Sequence, residues 1–433
     1  MPPLVILAAG RGRRMGAPSK PLVRLLGLTL LERSVLTFRE AGIKKFYVIV
    51  GYKKEKVKKH VEEIARKYNV DIEAIESKEW EKGNGATLMA LDGIVKKFFL
   101  TMADHIFEKS IVENFVKKAA NEKCYLAVDT DINSVIDIDE ATKVKMDGKR
   151  IVNIGKDIND YNGVDMGLFF FNDSIFDALK RAMENGKANL TDGVKLLAES
   201  GKLYGIEKEH GFWIDTDNPK NLEIAEKMLI SSLSKKEDGF ISYNINRKIS
   251  TKISKKLCIT NIKPNYITVL SFLLSIFGGL LFIFSEYLYT AIAGILVQIS
   301  SIIDGCDGEI ARLKFMATPF GAWLDTILDR YADAIISIFI TYNGWMIYKN
   351  IIVWPLGMLA MLSFLMASYS RKEYELRYGK KLDEGTIDNL SKRDIRLFSI
   401  FAGAIINHAF EAMVAISILH HVAIITNFVR RGK

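Results

Sequence analysis

The sequence predicts an α/β domain over residues 1–229, a linker and amphipathic juxtamembrane helix over residues 230–263, and an all-α polytopic membrane domain with six transmembrane helices over residues 264–433. Three observations carry this prediction. Short apolar runs alternate with helical stretches in the first half, long apolar segments recur from Tyr266 onward, and basic residues gather on one side of those segments. Composition narrows the class: 433 residues suggest two to three domains, and 49% hydrophobic with 26% charged residues exclude a disordered or fibrous chain. Three cysteines without a CxxC pair exclude a disulfide scaffold and a cysteine-rich zinc site. The 60 Lys+Arg exceed the 51 Asp+Glu, for a net charge of +9, but no nucleic-acid partner is expected.

The run Leu4–Ala9 is too short for the apolar core of a signal peptide, and its basic residues follow it instead of preceding it. It fits a buried first strand. Further strands are predicted at Phe46–Val50, Phe98–Thr101, Tyr125–Val128 and Leu168–Phe171, with helices such as Lys53–Lys67 and Asp173–Asn185 between them. The segment Leu7-Ala8-Ala9-Gly10-Arg11-Gly12-Arg13-Arg14-Met15, with Lys20-Pro21 beyond it, follows the first strand directly. Glycines there let backbone amides close around a triphosphate, while Arg14 and Lys20 neutralise charge at the α-phosphate.

This string resembles the sugar-phosphate nucleotidyltransferase family, which implies a Rossmann-like nucleotidyltransferase fold and a nucleotide contact along Ala8, Gly10 and Gly12. The resemblance extends to Gly83-Asn84-Gly85-Ala86, similar to the family's base-reading turn, which makes Gly83 and Ala86 nucleotide contacts. It implies a magnesium-binding aspartate at Asp104 and a second at Asp215 or Asp217 in Trp213-Ile214-Asp215-Thr216-Asp217-x-Pro219. It also implies an acceptor-phosphate contact at Lys156, ahead of Asp165-Met166-Gly167. Arg13 departs from the family, which usually has Ser or Thr there.

The linker contains Ser231, Ser232, Ser234, Lys235 and Lys236. After it, Ile241, Ile245, Ile249 and Ile253 repeat every fourth residue with lysines between them, as in a basic helix lying on an anionic leaflet. Six apolar segments follow: Tyr266–Tyr287, Leu288–Ile303, Leu324–Tyr348, Ile351–Ser370, Ile395–Asn407 and His408–Val429. Basic residues cluster before the first (Lys252, Lys255, Lys256, Lys263), after the second (Arg312, Lys314), after the fourth (Arg371, Lys372, Arg377, Lys380, Lys381, Lys392, Arg393) and after the last (Arg430, Arg431, Lys433). By the positive-inside rule both termini and the α/β domain lie on the cytoplasmic side of the cell membrane.

Acids inside membrane helices are costly and mark function. Asp304 and Asp307, spaced i,i+3, share a face at the cytoplasmic end of the second segment; Asp325 and Asp329, spaced i,i+4, do the same on the third. Bases look too few to pair them, so a pair of magnesium ions is the expected counter-charge, with Mn2+ as the alternative. Gly308, Ala311 and Gly321 are small where a nucleotide diphosphate must approach helix backbone. The string Asp304-x-x-Asp307-Gly308-x-x-Ala311-Arg312, then Gly321-x-x-x-Asp325-x-x-x-Asp329, is similar to the CDP-alcohol phosphotransferase signature at every motif position, as is Pro264-Asn265-x-x-Thr268. That resemblance implies metal and CDP contacts at Asp304, Asp307 and Asp325, with Gly308, Ala311, Arg312 and Gly321 beside the nucleotide. It makes Asp329 both a metal ligand and the base for the acceptor hydroxyl. Asp333 lies outside the motif, either extending a relay or capping a water pocket.

A fusion of a cytidylyltransferase with a consumer of CDP-linked donors implies consecutive steps. The pair resembles the bifunctional family of di-myo-inositol phosphate synthesis, a compatible-solute route of hyperthermophiles. CTP, inositol-1-phosphate and CDP-inositol are then the soluble partners, membrane lipid surrounds the second half, and a homodimer forms through it. A phosphorylated acceptor accounts for the basic loop, with Arg371, Lys372, Arg377, Arg393 and Arg396 as candidate contacts. The single glutamine, Gln298, leans toward a hyperthermophile. A cytidylyltransferase fused to a phospholipid synthase, using another polyol or a lipid acceptor, is the alternative.

Overall fold

A computed structural model describes residues 1–16, 19–119, 123–233, 239–380 and 392–431. Ser234, Lys235 and Lys236 of the linker, and the basic residues Lys381 and Lys433, lie outside the described residues. The chain divides into two compact units, Met1–Leu229 and Ile230–Lys433.

The first unit has thirteen strands: β1 (Leu4–Leu7), β2 (Arg24–Leu25), β3 (Leu28–Thr29), β4 (Lys45–Val50), β5 (Asp71–Glu76), β6 (Lys97–Met102), β7 (His105–Phe107), β8 (Cys124–Asp129), β9 (Lys143–Asp147), β10 (Arg150–Gly155), β11 (Gly163–Asn172), β12 (Leu203–Glu207) and β13 (Trp213–Asp215). Nine form one sheet in the order β5-β4-β1-β6-β11-β8-β12-β10-β9. The first four are mutually parallel, and β11 turns the sheet antiparallel against β6 and β8. Period-two alternation sends Val5, Leu7, Ile49 and Leu100 to one core and Leu4, Ile6, Val48 and Phe99 to the other, so both faces of the sheet are covered. Because Leu7 is level with Met102, the loop after β1 and the residues after β6 emerge side by side. β7 and β13 pair antiparallel, with Asp215 level with His105, and this brings two distant stretches of sequence to the same edge.

The second unit is helical. After a π-helical turn, Ser242–Asn246, comes the helix Arg247–Leu257. Then follow Pro264–Leu281, Tyr287–Leu313, Pro319–Tyr348, Val353–Tyr378, Arg393–Ile405 and Ala409–Arg431. Four of these, namely the first, second, fourth and sixth, are long and apolar enough to cross a membrane. The helix Pro319–Tyr348 is longer still but carries Asp325, Asp329, Arg330 and Asp333, and Arg393–Ile405 has 13 residues. A shared core of Phe282, just past the first helix, with Val297, Ile336, Ile340, Phe364, Ile400 and Met413 from the other five, joins the helices, and Leu281 of the first packs against it. Gly278 packs so tightly on its neighbour that a Cβ there would lie 3.1 Å from Leu296. Outward-facing Leu270, Leu273, Phe277, Ile338, Leu359, Ile418 and Ile425 are exposed.

The apolar segments read from sequence end too early. Leu288–Ile303 stops where the acids begin, yet its helix continues unbroken to Leu313; the third helix starts at Pro319, ahead of Leu324. Polar side chains do not end a helix when partners inside the bundle satisfy them.

Two candidate active sites

In the first unit, β1 delivers the glycine loop and β6 delivers Asp104. Ala8 is buried, its N–H donating to the Ile49 carbonyl at 2.9 Å, while nothing packs over Gly10. Gly12 has φ +60°, and a Cβ there would sit 2.7 Å from Lys20 Cβ, so the loop folds down on that lysine. The Lys20 ammonium, buried, donates to Asp104 and Asp217 and lies 3.6 Å from Asp215 Oδ1. Burial opposes its charge, but Asp104 and Asp215 hold its pKa above the usual lysine range. Asp104 is half-buried, and Lys20 and His105 keep its carboxyl well below the usual range. Asp215 is pushed up to about 7 by burial and by the charge on Asp104, and its Oδ1 is buried with no hydrogen-bond partner.

Oxygen and nitrogen donors of Asp104, His105 and Asp215 lie within 4.8 Å of one another, a grouping able to hold a metal ion. Asp217 lies outside that group and engages Lys20 instead. His105 belongs to none of the motifs read from the sequence. Its Nδ1 is 2.8 Å from Asp104 Oδ1, and its ring stacks on Trp213 with 13° between planes. Burial opposes its protonation, but Asp215 and Asp104 raise its pKa to about 9. Trp213 is fixed by Nε1–H donating to buried Asp129 at 2.7 Å, and Lys208 reaches the same carboxylate at 2.6 Å. Gly167, φ +71°, is what admits the imidazole: a Cβ there would be 2.4 Å from His105 Nε2.

These residues open on a cavity of about 1180 Å³ that Arg14 and Lys156 also line. Arg14 is exposed and pairs with Glu140. Gly83, φ +144°, lies against the Ala188 carbonyl, which also accepts from the Ala86 N–H at 3.1 Å. Lys187 and Lys195 add positive charge to the cavity wall, and no spacing in the sequence marked them.

In the second unit, carboxylate oxygens of Asp304, Asp325 and Asp329 likewise lie within 4.8 Å of one another. Asp307 stands beside them, accepting from Thr268 of the Pro-Asn-x-x-Thr motif and from the Gly308 N–H. Ser271 donates to Asp304 at 3.2 Å. Gly308 has the Arg312 guanidinium alongside, 3.1 Å from where a Cβ would stand; Ala311 is half-buried on the same helix. Gly321 N–H donates to Thr318 Oγ1 at 3.0 Å in the first turn of the next helix.

The expectation that bases are too few to pair the acids is overturned. Arg393 NH1 lies 3.0 Å from Asp304 Oδ2 and 2.8 Å from Asp329 Oδ1, and its Nε is 3.4 Å from Asp333. Arg330 approaches Asp329 at 3.3 Å. Asp333 is buried in ion pairs with Arg396 at 2.5 Å and with Arg393. Arg396 is itself buried, donating to the Phe364 carbonyl at 3.3 Å, so of the expected acceptor contacts it faces the bundle interior. Lys372 and Arg377 pair with Glu375 and Glu373 on their own helix, and Arg371 lies one residue before them. Arg393 alone of the five touches the acidic cluster among the described residues.

Two family profiles match the sequence: the MobA-like NTP transferase domain over residues 4–193 and the CDP-alcohol phosphatidyltransferase over residues 261–426. A bifunctional IPC transferase and DIPP synthase of Aquifex aeolicus is 36% identical over 97% of this chain and 96% of its own. One of Thermococcus kodakarensis, with the same name, is 35% identical over 86% of this chain and 82% of its own. Among solved structures, the inositol-1-phosphate CTP transferase from T. maritima aligns at 24% identity with a TM-score of 0.47, covering 53% of this chain and 95% of that one. Near-complete coverage at this identity, with both acidic clusters in place, means that the chain belongs to the family of bifunctional IPC transferases and DIPP synthases.

Proposed function

We propose that the chain carries out two consecutive transfers, one at each acidic cluster. CTP and inositol-1-phosphate give CDP-inositol and pyrophosphate; CDP-inositol and a second inositol-1-phosphate then give phosphorylated di-myo-inositol phosphate and CMP. The observation that carries this reading is one chain, alike end to end with bifunctional relatives, holding a metal-competent donor group in each unit.

In the first step a phosphate oxygen of inositol-1-phosphate attacks the α-phosphorus in line, the bond to the bridging oxygen breaks, and pyrophosphate leaves. The attacking phosphate is already ionised, so positioning and charge do the work. Lys20 is kept charged by its acids and offers that charge at the α-phosphate, with Arg14 on the wall of the cavity that its partners Asp104, Asp215 and Asp217 also line. Lys156, on the cavity wall, takes the acceptor phosphate. In the second step an inositol hydroxyl gives its proton to Asp329 and attacks the phosphorus that carries inositol, and CMP leaves. Arg393, pinned between Asp304 and Asp329, counters their repulsion and orients both carboxylates. The donor sets fit a hard cation: all are carboxylates except His105, and the buried Asp215 Oδ1 accepts no hydrogen bond. Asp104 with Asp215, and Asp304, Asp307, Asp325 and Asp329, would hold Mg2+ or Mn2+, which supplies Lewis-acid neutralisation of phosphate oxygens.

All six helices from Pro264 to Arg431 cross the membrane in this reading, with both termini and the first unit cytoplasmic; the charged third helix spans because Asp329 and Asp333 are paired inside the bundle. The protein sits in the cell membrane among its lipids and pairs as a homodimer through the second unit. Membranes bearing the full-length protein, given CTP, Mg2+ and inositol-1-phosphate, should yield pyrophosphate, CMP and a new phosphodiester by phosphorus NMR. Pyrophosphate and CDP-inositol without CMP, even at saturating inositol-1-phosphate, would redirect the second step to a lipid acceptor.

A further inference from the structure

The helix Arg247–Leu257 has its faces the other way round from a soluble amphipathic helix. Ile249 is 43% exposed, as is Ile245 at 36% in the turn before it, and Ile253 is half-buried, whereas Asn246, Ser250 and Ser254 are buried. The buried face docks on the helix that carries Asp304 and Asp307. Glu309, fully buried on that helix, accepts from Arg247 NH1 at 2.7 Å and from Ser250 Oγ at 2.6 Å. One turn back, Gln298 Nε2 donates to Asn246 Oδ1 at 2.9 Å. At its start, the Ser242 N–H donates to Asp394 Oδ2 at 2.7 Å, and Asp394 adjoins Arg393 in sequence. Between this helix and the acidic cluster lies a cavity of about 230 Å³, walled on one side by Asn246, Arg247 and Ser250 and on the other by Asp304, Asp329 and Arg393.

We infer that the juxtamembrane helix is a working wall of the transfer site, and that Arg247 and Glu309 are positioning residues that set its distance from Asp329 and so shape the space for the acceptor. The inference rests on the second-step reading above. A fully buried carboxylate paired with an arginine fixes geometry strongly, because losing the arginine leaves the buried charge without its counter-charge. Exposed Ile245 and Ile249 with Lys248 and Lys252 then face the leaflet, so the same helix meets lipid on one side and substrate space on the other.

The test uses full-length protein in membranes with CDP-inositol and inositol-1-phosphate supplied, following CMP, and separately CTP with inositol-1-phosphate, following pyrophosphate. For Arg247→Gln and for Glu309→Gln, KM for inositol-1-phosphate in CMP release should rise about tenfold. KM for CDP-inositol and the rate of pyrophosphate release should stay unchanged, and Arg247→Lys should recover most of the loss. If Arg247→Gln does not accumulate, Ser250→Ala removes one hydrogen bond to Glu309 and should raise the acceptor KM about threefold. An acceptor KM within twofold of wild type in the variants that accumulate, or a fall in kcat with both KM values unmoved, overturns the inference. Wild-type protein that makes pyrophosphate but no CMP overturns the transfer reading, and this inference with it, before any variant is compared.

Discussion

In the first unit the acids meet at strand ends: Asp104 follows β6, Asp215 ends β13, and their side chains converge because β7 and β13 pair. In the second unit they come from helix faces, Asp304 with Asp307 on one and Asp325 with Asp329 on the next. Each cluster is braced by a cation from elsewhere in the chain, a lysine in one case and an arginine in the other. Lys20 is a point charge donating to Asp104 and Asp217. Arg393 is a planar fork that spans Asp304 and Asp329 with one nitrogen while another faces Asp333. The choice follows the surroundings. A long, flexible ammonium behind acids that line a cavity can move to a phosphate, whereas a guanidinium keeps its charge inside a helix bundle and holds several acids in register.

Exchanging each cation for a neutral chain of similar length breaks the comparison most directly. Lys20→Met should lower pyrophosphate release about a hundredfold with CMP release from supplied CDP-inositol intact, and Arg393→Met should do the converse. Steady-state rates of the two half-reactions check both. Next in size, His105→Asn should lower pyrophosphate release about tenfold, because it weakens the hold on Asp104 that Trp213 and Gly167 arrange; His105→Gln, with a longer reach, should recover part of it. The smallest effect is on pH. Asp215, raised to about 7, carries a proton below that value, and a cation needs it ionised. The Mg2+ concentration for half-maximal pyrophosphate release should therefore rise several-fold as pH falls from about 8 to about 6. A flat profile would remove Asp215 from the donor set.

Strand runs such as Phe46–Val50 were legible because both faces of the central sheet are buried, so the strands read as continuous apolar stretches. β9 and β10 were not, since Lys143–Asp147 and Arg150–Gly155 alternate with charge near the sheet edge. The i,i+3 and i,i+4 acids in the membrane unit could be read because helical spacing is local. Their pairing with Arg393 could not: 89 residues separate it from Asp304, and nothing along the chain records that approach. Likewise the isoleucine period marked the juxtamembrane helix, while the docking of Asn246, Ser250 and Ser254 on the bundle left no periodic signal of its own.

The central claim is that two independent sites act in sequence. Phosphorus NMR of Asp215→Asn and Asp329→Asn full-length proteins, each given CTP, Mg2+ and inositol-1-phosphate and then CDP-inositol, tests it most directly. Asp329→Asn should release pyrophosphate and accumulate CDP-inositol with no CMP. Asp215→Asn should release no pyrophosphate, yet form CMP and the phosphodiester once CDP-inositol is added. Loss of both half-reactions in either folded variant would contradict the account.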